Sequence, residues 1–221
     1  MEIIRTFVEY HTGIIAGLQT TLKLSIIIWT LGLLTGTALG VAENYWRESI
    51  GIYARSLSFV LSGLPPLVLL FWLHYPLQGI LNVNIDPFIT AAGALSLINT
   101  FLVADIVNDA LLDFPEQYIT AAKVCGLSPR TTFLKIQLPL ILRSTIPRLL
   151  LVQVSMLQGT IFASLISVDE IFRVAQRINA QIYRPVEVYT ALGFLFLMIC
   201  LPLNGLALWM KHQFTRNISE K

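Results

Sequence analysis

Charge is scarce in this chain. Only 13% of its 221 residues are Asp, Glu, Lys or Arg, against 55% hydrophobic. A soluble globular domain carries about twice that share of charge, so that class is excluded. Cysteine is nearly absent. Cys125 and Cys200 stand far apart, and neither a disulfide framework nor metal-ligand spacing is present. No G-x-x-x-x-G-K-S/T string occurs, so nothing in the chain can cradle the phosphates of ATP. The apolar stretches hold no His/Asp/Glu cluster and no serine paired with a base, which argues against a membrane-embedded enzyme. No internal repeat is visible, which argues against an ion-coupled secondary transporter. Those two classes stand as the alternatives.

What is abundant is long apolar sequence. Five runs approach or exceed the length needed to cross a hydrocarbon core of about 30 Å. They lie at Ile14–Ala42, Leu57–Leu73, Phe88–Val107, Leu149–Val168 and Val188–Met210. The second and third are short, and Pro65 with Pro66 bends the second. Residues 1–13 are mixed polar and the run after them is too long for a cleaved signal. The expectation is an all-α membrane protein, with residues 1–221 as one transmembrane domain of five helices. Trp29, Trp46, Trp72 and Trp209 fall near run ends as interfacial aromatics, and Gly32, Gly36 and Gly40 form a face on which a second helix can approach closely. His11, His74 and His212 sit at run ends and read as interfacial.

One stretch breaks the apolar pattern. Residues Pro115–Pro139 are polar and basic and read as two short helices around a glycine. Pro115 suits a first helical position, Gly126 suits the left-handed residue that ends a helix, Ser128 is an N-cap, Pro129 opens the second helix and Pro139 stops it. Tyr118, Ala121, Ala122 and Cys125 share one face of the first helix, with Lys123 on the other. An elbow of this kind between spans is built to dock. The alternative is an amphipathic helix lying on headgroups.

Positive charge sets an orientation. With the N-terminus outside, ten Lys and Arg fall inside (Arg47, Arg55, Lys123, Arg130, Lys135, Arg143, Arg148, Lys211, Arg216, Lys221) and four outside (Arg5, Arg173, Arg177, Arg184). The expected topology is N-out, C-in, with the elbow in the cytoplasm. Lys23 lies within the first span, where its head snorkels to the headgroups.

The spacing Ala121-Ala122, Gly126, Ile136, Leu138-Pro139 resembles the EAA loop of ATP-binding-cassette importer permeases. Similarity continues on both sides: GLQTTLKLS at Gly17–Ser25, SGLPPLVLLF at Ser62–Phe71, Asn99 at the third-span motif, and Val168, Glu170, Arg173, Ala175 with Tyr183–Tyr189 at the end. These are similar to the polar amino-acid permease subgroup. The resemblance implies five spans, with a coupling helix between spans 3 and 4 seated on a cytoplasmic ATPase. It carries Thr120, Ala121, Ala122, Lys123, Gly126, Ser128, Pro129, Arg130, Ile136, Leu138 and Pro139 as ATPase-coupling residues. It further implies no cofactor in this chain, with ATP and Mg held by the partner ATPase. The implied partners are a second permease subunit, identical or homologous, an extracytoplasmic solute-binding protein and a small polar solute such as an amino acid. The implied location is a bacterial cytoplasmic membrane, with no role for nucleic acid.

The chain also departs from the pattern. Thr120 stands at the signature glutamate, Ser62 and Leu64 replace an arginine and a threonine, Asn108-Asp109 replace Arg-Gly, and Gln158-Gly159-Thr160-Ile161 replace a Lys-Asp-Thr-Ser run. Several buried charges usual in the subgroup are therefore missing: either the transported solute differs or a second permease subunit supplies those groups. The expectation taken forward is an asymmetric pair in which a homologous partner holds most of the solute contacts. A zwitterion in a low-dielectric path needs groups in place of its water. The candidates on this chain are Asn99, Asp105, Gln158, Thr160 and Ser164, together with Gln153 and Ser155. Thr160 and Ser164 are four apart and are expected to share a helix face, and an acidic residue at membrane depth such as Asp105 is a functional candidate.

Overall fold

The computed structural model describes residues 10–216, and every regular element among them is helical. In chain order these are α1 (His11–Tyr45), α2 (Ile50–Gly63), α3 (Pro66–His74), α4 (Pro76–Leu81), α5 (Pro87–Leu112), α6 (Glu116–Val124), α7 (Pro129–Thr132), a π-helical segment (Phe133–Gln137), α8 (Leu138–Gly159), a 3₁₀ segment (Thr160–Ile166), α9 (Ile171–Ile182) and α10 (Pro185–Arg216). Arg5 and Lys221, counted in the orientation argument, lie outside the described residues. Four rods are long and apolar enough to cross a membrane: α1, α5, the run from Pro129 to Ile166, and α10. The second run makes a fifth as a broken pair, α2 and the helix after Pro66, bent by 99°. Pro65 and Pro66 cause the break, since neither can donate to the carbonyl a turn earlier and each crowds it.

Two expectations at the elbow fail. Pro139 does not stop the second helix. The chain stays helical from Pro129 into the fourth span, which starts at Leu138 and not at Leu149. The helix accommodates the proline by widening into the π segment just before it, where the amide of Leu138 reaches back to the carbonyl of Phe133. Pro139 then sits in the first turn of α8, where a missing N–H costs least. Pro115 precedes α6 as its cap residue, and Glu116 is the first helical residue.

Packing starts from α1 and α5, which run parallel and touch along most of their length. A Cβ on Gly36 would stand 2.5 Å from the carbonyl oxygen of Thr100, and one on Gly40 2.6 Å from that of Ala104. The glycine face thus receives a helix of the same chain, with backbones nearly in contact. α8 and the 3₁₀ segment after it return antiparallel, placing Met156 and then Ala163 and Ile166 against Leu24, Ile28 and Leu95 in the main core. At the far end from the elbow, α9 lays Ile171, Val174, Ala175 and Ile178 against Val188 and Leu192 of α10.

Candidate functional site

The elbow ends α6 in a Schellman motif. Gly126 has φ +72°, the amide of Leu127 donates to the Ala122 carbonyl (3.0 Å), and the Gly126 amide donates to the Lys123 carbonyl (3.0 Å). Two carbonyls that the helix end would leave open are thereby closed. Ser128 opens α7: its Oγ accepts from the amide of Thr131 at 3.3 Å, and its carbonyl accepts from that of Thr132 at 2.9 Å. So the glycine stop and the serine start stand where the sequence places them.

α6 has no extensive contact with any other helix, and Ala122 is its buried residue. Thr120, Ala121, Lys123, Cys125, Pro129 and Arg130 are exposed, Tyr118 is at the edge of exposure, and Val124 is 83% exposed. Thus the expected apolar face buries only Ala122 in the isolated chain, while Ile136 and Leu138 are half-buried where the elbow joins the bundle. Beyond α7, the π segment and α8 carry the elbow into the fourth span without a break.

The five path candidates do not converge. Asn99 is fully buried and donates to the carbonyl of Ile28 (3.0 Å) and to Gln153 Oε1 (2.9 Å), while Gln153 Nε2 donates back to Asn99 Oδ1 (3.2 Å). Trp29, expected at an interface, instead donates its indole N–H to the Gln153 carbonyl at 2.8 Å. These residues form a polar brace across α1, α5 and α8. Counting from that level at ~1.5 Å per residue, Asp105 lies about 9 Å toward the elbow end and Thr160 about 10 Å toward the far end. Asp105 accepts from Ser58 at 2.9 Å. Thr160 and Ser164 are buried, with hydroxyls spent on the carbonyls of Leu157 and Ile161. They do not share a face, because the 3₁₀ segment turns three residues at a time and leaves positions four apart rotated by about a third of a turn. Gln158 is the exposed member of the set.

Two buried acidic residues stand outside the sequence-derived site candidates, Glu170 having been singled out there only for its family resemblance. Glu170 is fully buried as the cap of α9, accepting from the amides of Phe172 and Arg173, both at 2.9 Å. Burial still outweighs these bonds and raises its carboxyl to about 7. The Ile171 amide donates to Thr21 Oγ at 3.1 Å, tying α9 to α1, and Arg173 donates to the Ser164 carbonyl at 2.8 Å. Arg173 and Arg177 both pair with Asp169, at 3.2 and 3.1 Å. The second residue, Glu43, is buried at the elbow end of α1. Its only sequence signal is an acid at a span end, which reads as interfacial.

Comparison with known proteins accounts for this arrangement. Residues 30–218 match the family described as binding-protein-dependent transport system inner membrane component. The octopine transport system permease protein OccM of Rhizobium radiobacter is 30% identical over 201 residues, covering 86% of this chain and 81% of the relative. The L-cystine transport system permease protein TcyB of Bacillus subtilis is 30% identical over 195 residues, covering 85% and 80%. The glutamine transport system permease protein GlnP of Escherichia coli is 28% identical over 196 residues, covering 86% and 88%. The fold matches a crystal structure of an amino acid ABC transporter with a TM-score of 0.84 at 24% identity, over 94% of this chain and 96% of that one. The span order, the capped elbow and the match over most of the chain agree: this chain belongs to the inner membrane components of binding-protein-dependent transport systems.

Proposed function

We propose that this chain is the permease half of an ATP-driven importer for a polar amino acid or a related small solute. The observation that carries the reading is the elbow: two capped helices held off the bundle, with exposed Val124, Lys123 and Arg130, and joined through unbroken helix to a span. A cytoplasmic ATPase seats on this surface, through Thr120, Ala121, Ala122, Lys123, Gly126, Ser128, Pro129 and Arg130, with Ile136, Leu138 and Pro139 passing its movement to α8. ATP and Mg belong to that partner. The chain lies in a bacterial cytoplasmic membrane with the elbow and C-terminus in the cytoplasm. It pairs with a second permease subunit, and a solute-loaded binding protein docks on the opposite side. The relatives named for octopine, cystine and glutamine transport support the solute class. Among the five path candidates, Asp105 and Gln158 have surface left for a solute; Asn99 holds helices together, while Thr160 and Ser164 spend their hydroxyls on carbonyls one turn back in the chain.

The test is reconstitution. The chain is co-purified with its ATPase and partner permease in proteoliposomes, and ATP hydrolysis is followed with binding proteins loaded with different amino acids. One solute should stimulate hydrolysis several-fold, and the double variant Lys123→Glu, Arg130→Glu should release the ATPase at physiological salt. Retention of the ATPase by that variant, with undiminished hydrolysis, overturns the docking assignment.

A further inference from the structure

The elbow end of the bundle contains a carboxylate with nothing to bind. Glu43 is 2% exposed and neither of its oxygens has a hydrogen-bond partner. The same chain meets this problem fully elsewhere, since Glu170 is equally buried and bonded to two amides. Around Glu43 the balance of charge is negative. Its electrostatic neighbours are Asp105, Asp109 and Arg55. Arg55, the one cation among them, gives two of its five donors to the backbone, Nε to the Gly51 carbonyl (2.9 Å) and Nη2 to that of Arg47 (3.3 Å), and neither Glu43 oxygen receives a bond from it. Ser58 gives its hydroxyl to Asp105. Exposure rises from buried Glu43, through half-buried Asp105, to exposed Asp109.

We infer that the elbow ends of α1 and α5 hold a binding site for an organic cation, an ammonium or guanidinium group, with Glu43 at its floor, Asp105 in its wall and Asp109 at its rim. Metal geometry argues for this class of ligand. Among the described residues no three acidic, His or Cys side chains come close enough to hold a metal ion, whereas a small hard cation needs several oxygens at ~2.0–2.6 Å. A guanidinium spreads five donors over a plane and an ammonium directs three, so either spans carboxylates set further apart. A burial that leaves a charge unpaired is destabilising, and an arriving cation removes that cost. The cation comes either from the transported solute or from a basic side chain of an adjoining subunit. The first source rests on the proposed function, but the site itself does not.

The experiment uses the full chain in nanodiscs of phosphatidylglycerol, whose headgroup carries no ammonium. Thermal unfolding is followed with L-arginine and with its neutral counterpart L-citrulline, at matched ionic strength. The expected result is a midpoint raised by several degrees with arginine and unchanged with citrulline. Glu43→Gln keeps the shape and removes the charge. It should unfold at a higher temperature than wild type without ligand and lose the arginine response, and Asp105→Asn should weaken that response. If arginine has no effect on the chain alone, but Glu43→Gln sheds a partner subunit that wild type retains, the cation is the partner's side chain and the site stands. The inference is overturned if Glu43→Gln unfolds earlier than wild type and neither arginine binding nor subunit retention changes. None of these readouts uses transport, so failure of the importer reading leaves the result interpretable.

Discussion

Replacing Gly126 isolates what the elbow's stop is worth. The residue sits at φ +72°, and a Cβ built there meets nothing within 4 Å. Steric clash with neighbours is therefore absent, and the whole cost of a side chain is conformational. An ordinary L-residue in the left-handed region costs about 1–2 kcal/mol, and a β-branched one more. α6 has nine residues and no extensive packing, and isolated helices below about 12 residues are marginal. A loss of about 2 kcal/mol is then a large part of what holds it, equivalent to roughly thirtyfold in population. The order expected is Gly close to Asn, then Ala, then Val, because Asn tolerates the left-handed region. Two measurements follow it: amide exchange at Leu127, whose N–H closes the motif, and solute-stimulated ATP hydrolysis of the reconstituted complex. Gly126→Val should accelerate the first about thirtyfold and abolish most of the second, with insertion unchanged. If Gly126→Val couples as well as wild type, or Asn is as damaging as Val, the left-handed stop is not what positions the elbow.

The remaining predictions concern the bundle and its orientation. Asn99→Leu should destabilise the chain by about 1–3 kcal/mol by stranding Gln153, and Asn99→Leu with Gln153→Leu should cost less than the two single changes added, as read by thermal unfolding. Glu170 titrates at about 7 in the folded chain against an ordinary 4.5, so the folded state takes up the proton. Its contribution is full below pH ~4.5 and is lost as pH rises through ~7, at most about 3 kcal/mol. Glu170→Gln, which keeps an acceptor for the α9 cap, should flatten that slope, and an unchanged slope refutes the assignment. Cysteine at position 180 should be labelled by an impermeant reagent from outside intact cells and cysteine at position 211 should not; the reverse pattern inverts the topology.

The spans and the elbow's punctuation were legible because hydrophobic length, Gly126 and Ser128 are local signals with few competing readings. Pro139 misled for a physical reason. A proline reads as a stop when the helix before it is assumed to keep its pitch, and the π segment from Phe133 to Gln137 relaxes that assumption with one longer hydrogen bond. Thr160 and Ser164 failed in the mirror sense, since the 3₁₀ segment tightens the pitch and rotates them apart. Asn99 was visible as a polar residue at depth, but only its reciprocal bond to Gln153 distinguishes a brace from a solute contact. Glu43 was out of reach. The chain after Tyr45 folds back so that the start of α2 comes against the Glu43 backbone carbonyl, where a Cβ on Gly51 would stand 2.9 Å away, and no local signal marks that return.

The close approach of α1 and α5 limits how such a chain can move. Two backbones whose neighbouring residues lack room for a single methyl group cannot slide past one another without lifting apart, and lifting apart would open a gap that neither lipid nor water fills well. The brace of Asn99, Gln153 and Trp29 pins α8 to the same pair. These three rods therefore act as one stiff plate, hinged where the chain is interrupted: at Pro65-Pro66 on one side and around Ser167, with its φ of 76°, on the other. On the proposed reading of the elbow, a push arriving there would tilt the plate as a whole. If the chain pairs with a second permease subunit as proposed, the gap for a solute would open along the plate's border with it, and substitutions that alter transport without touching the solute should cluster at the two hinges.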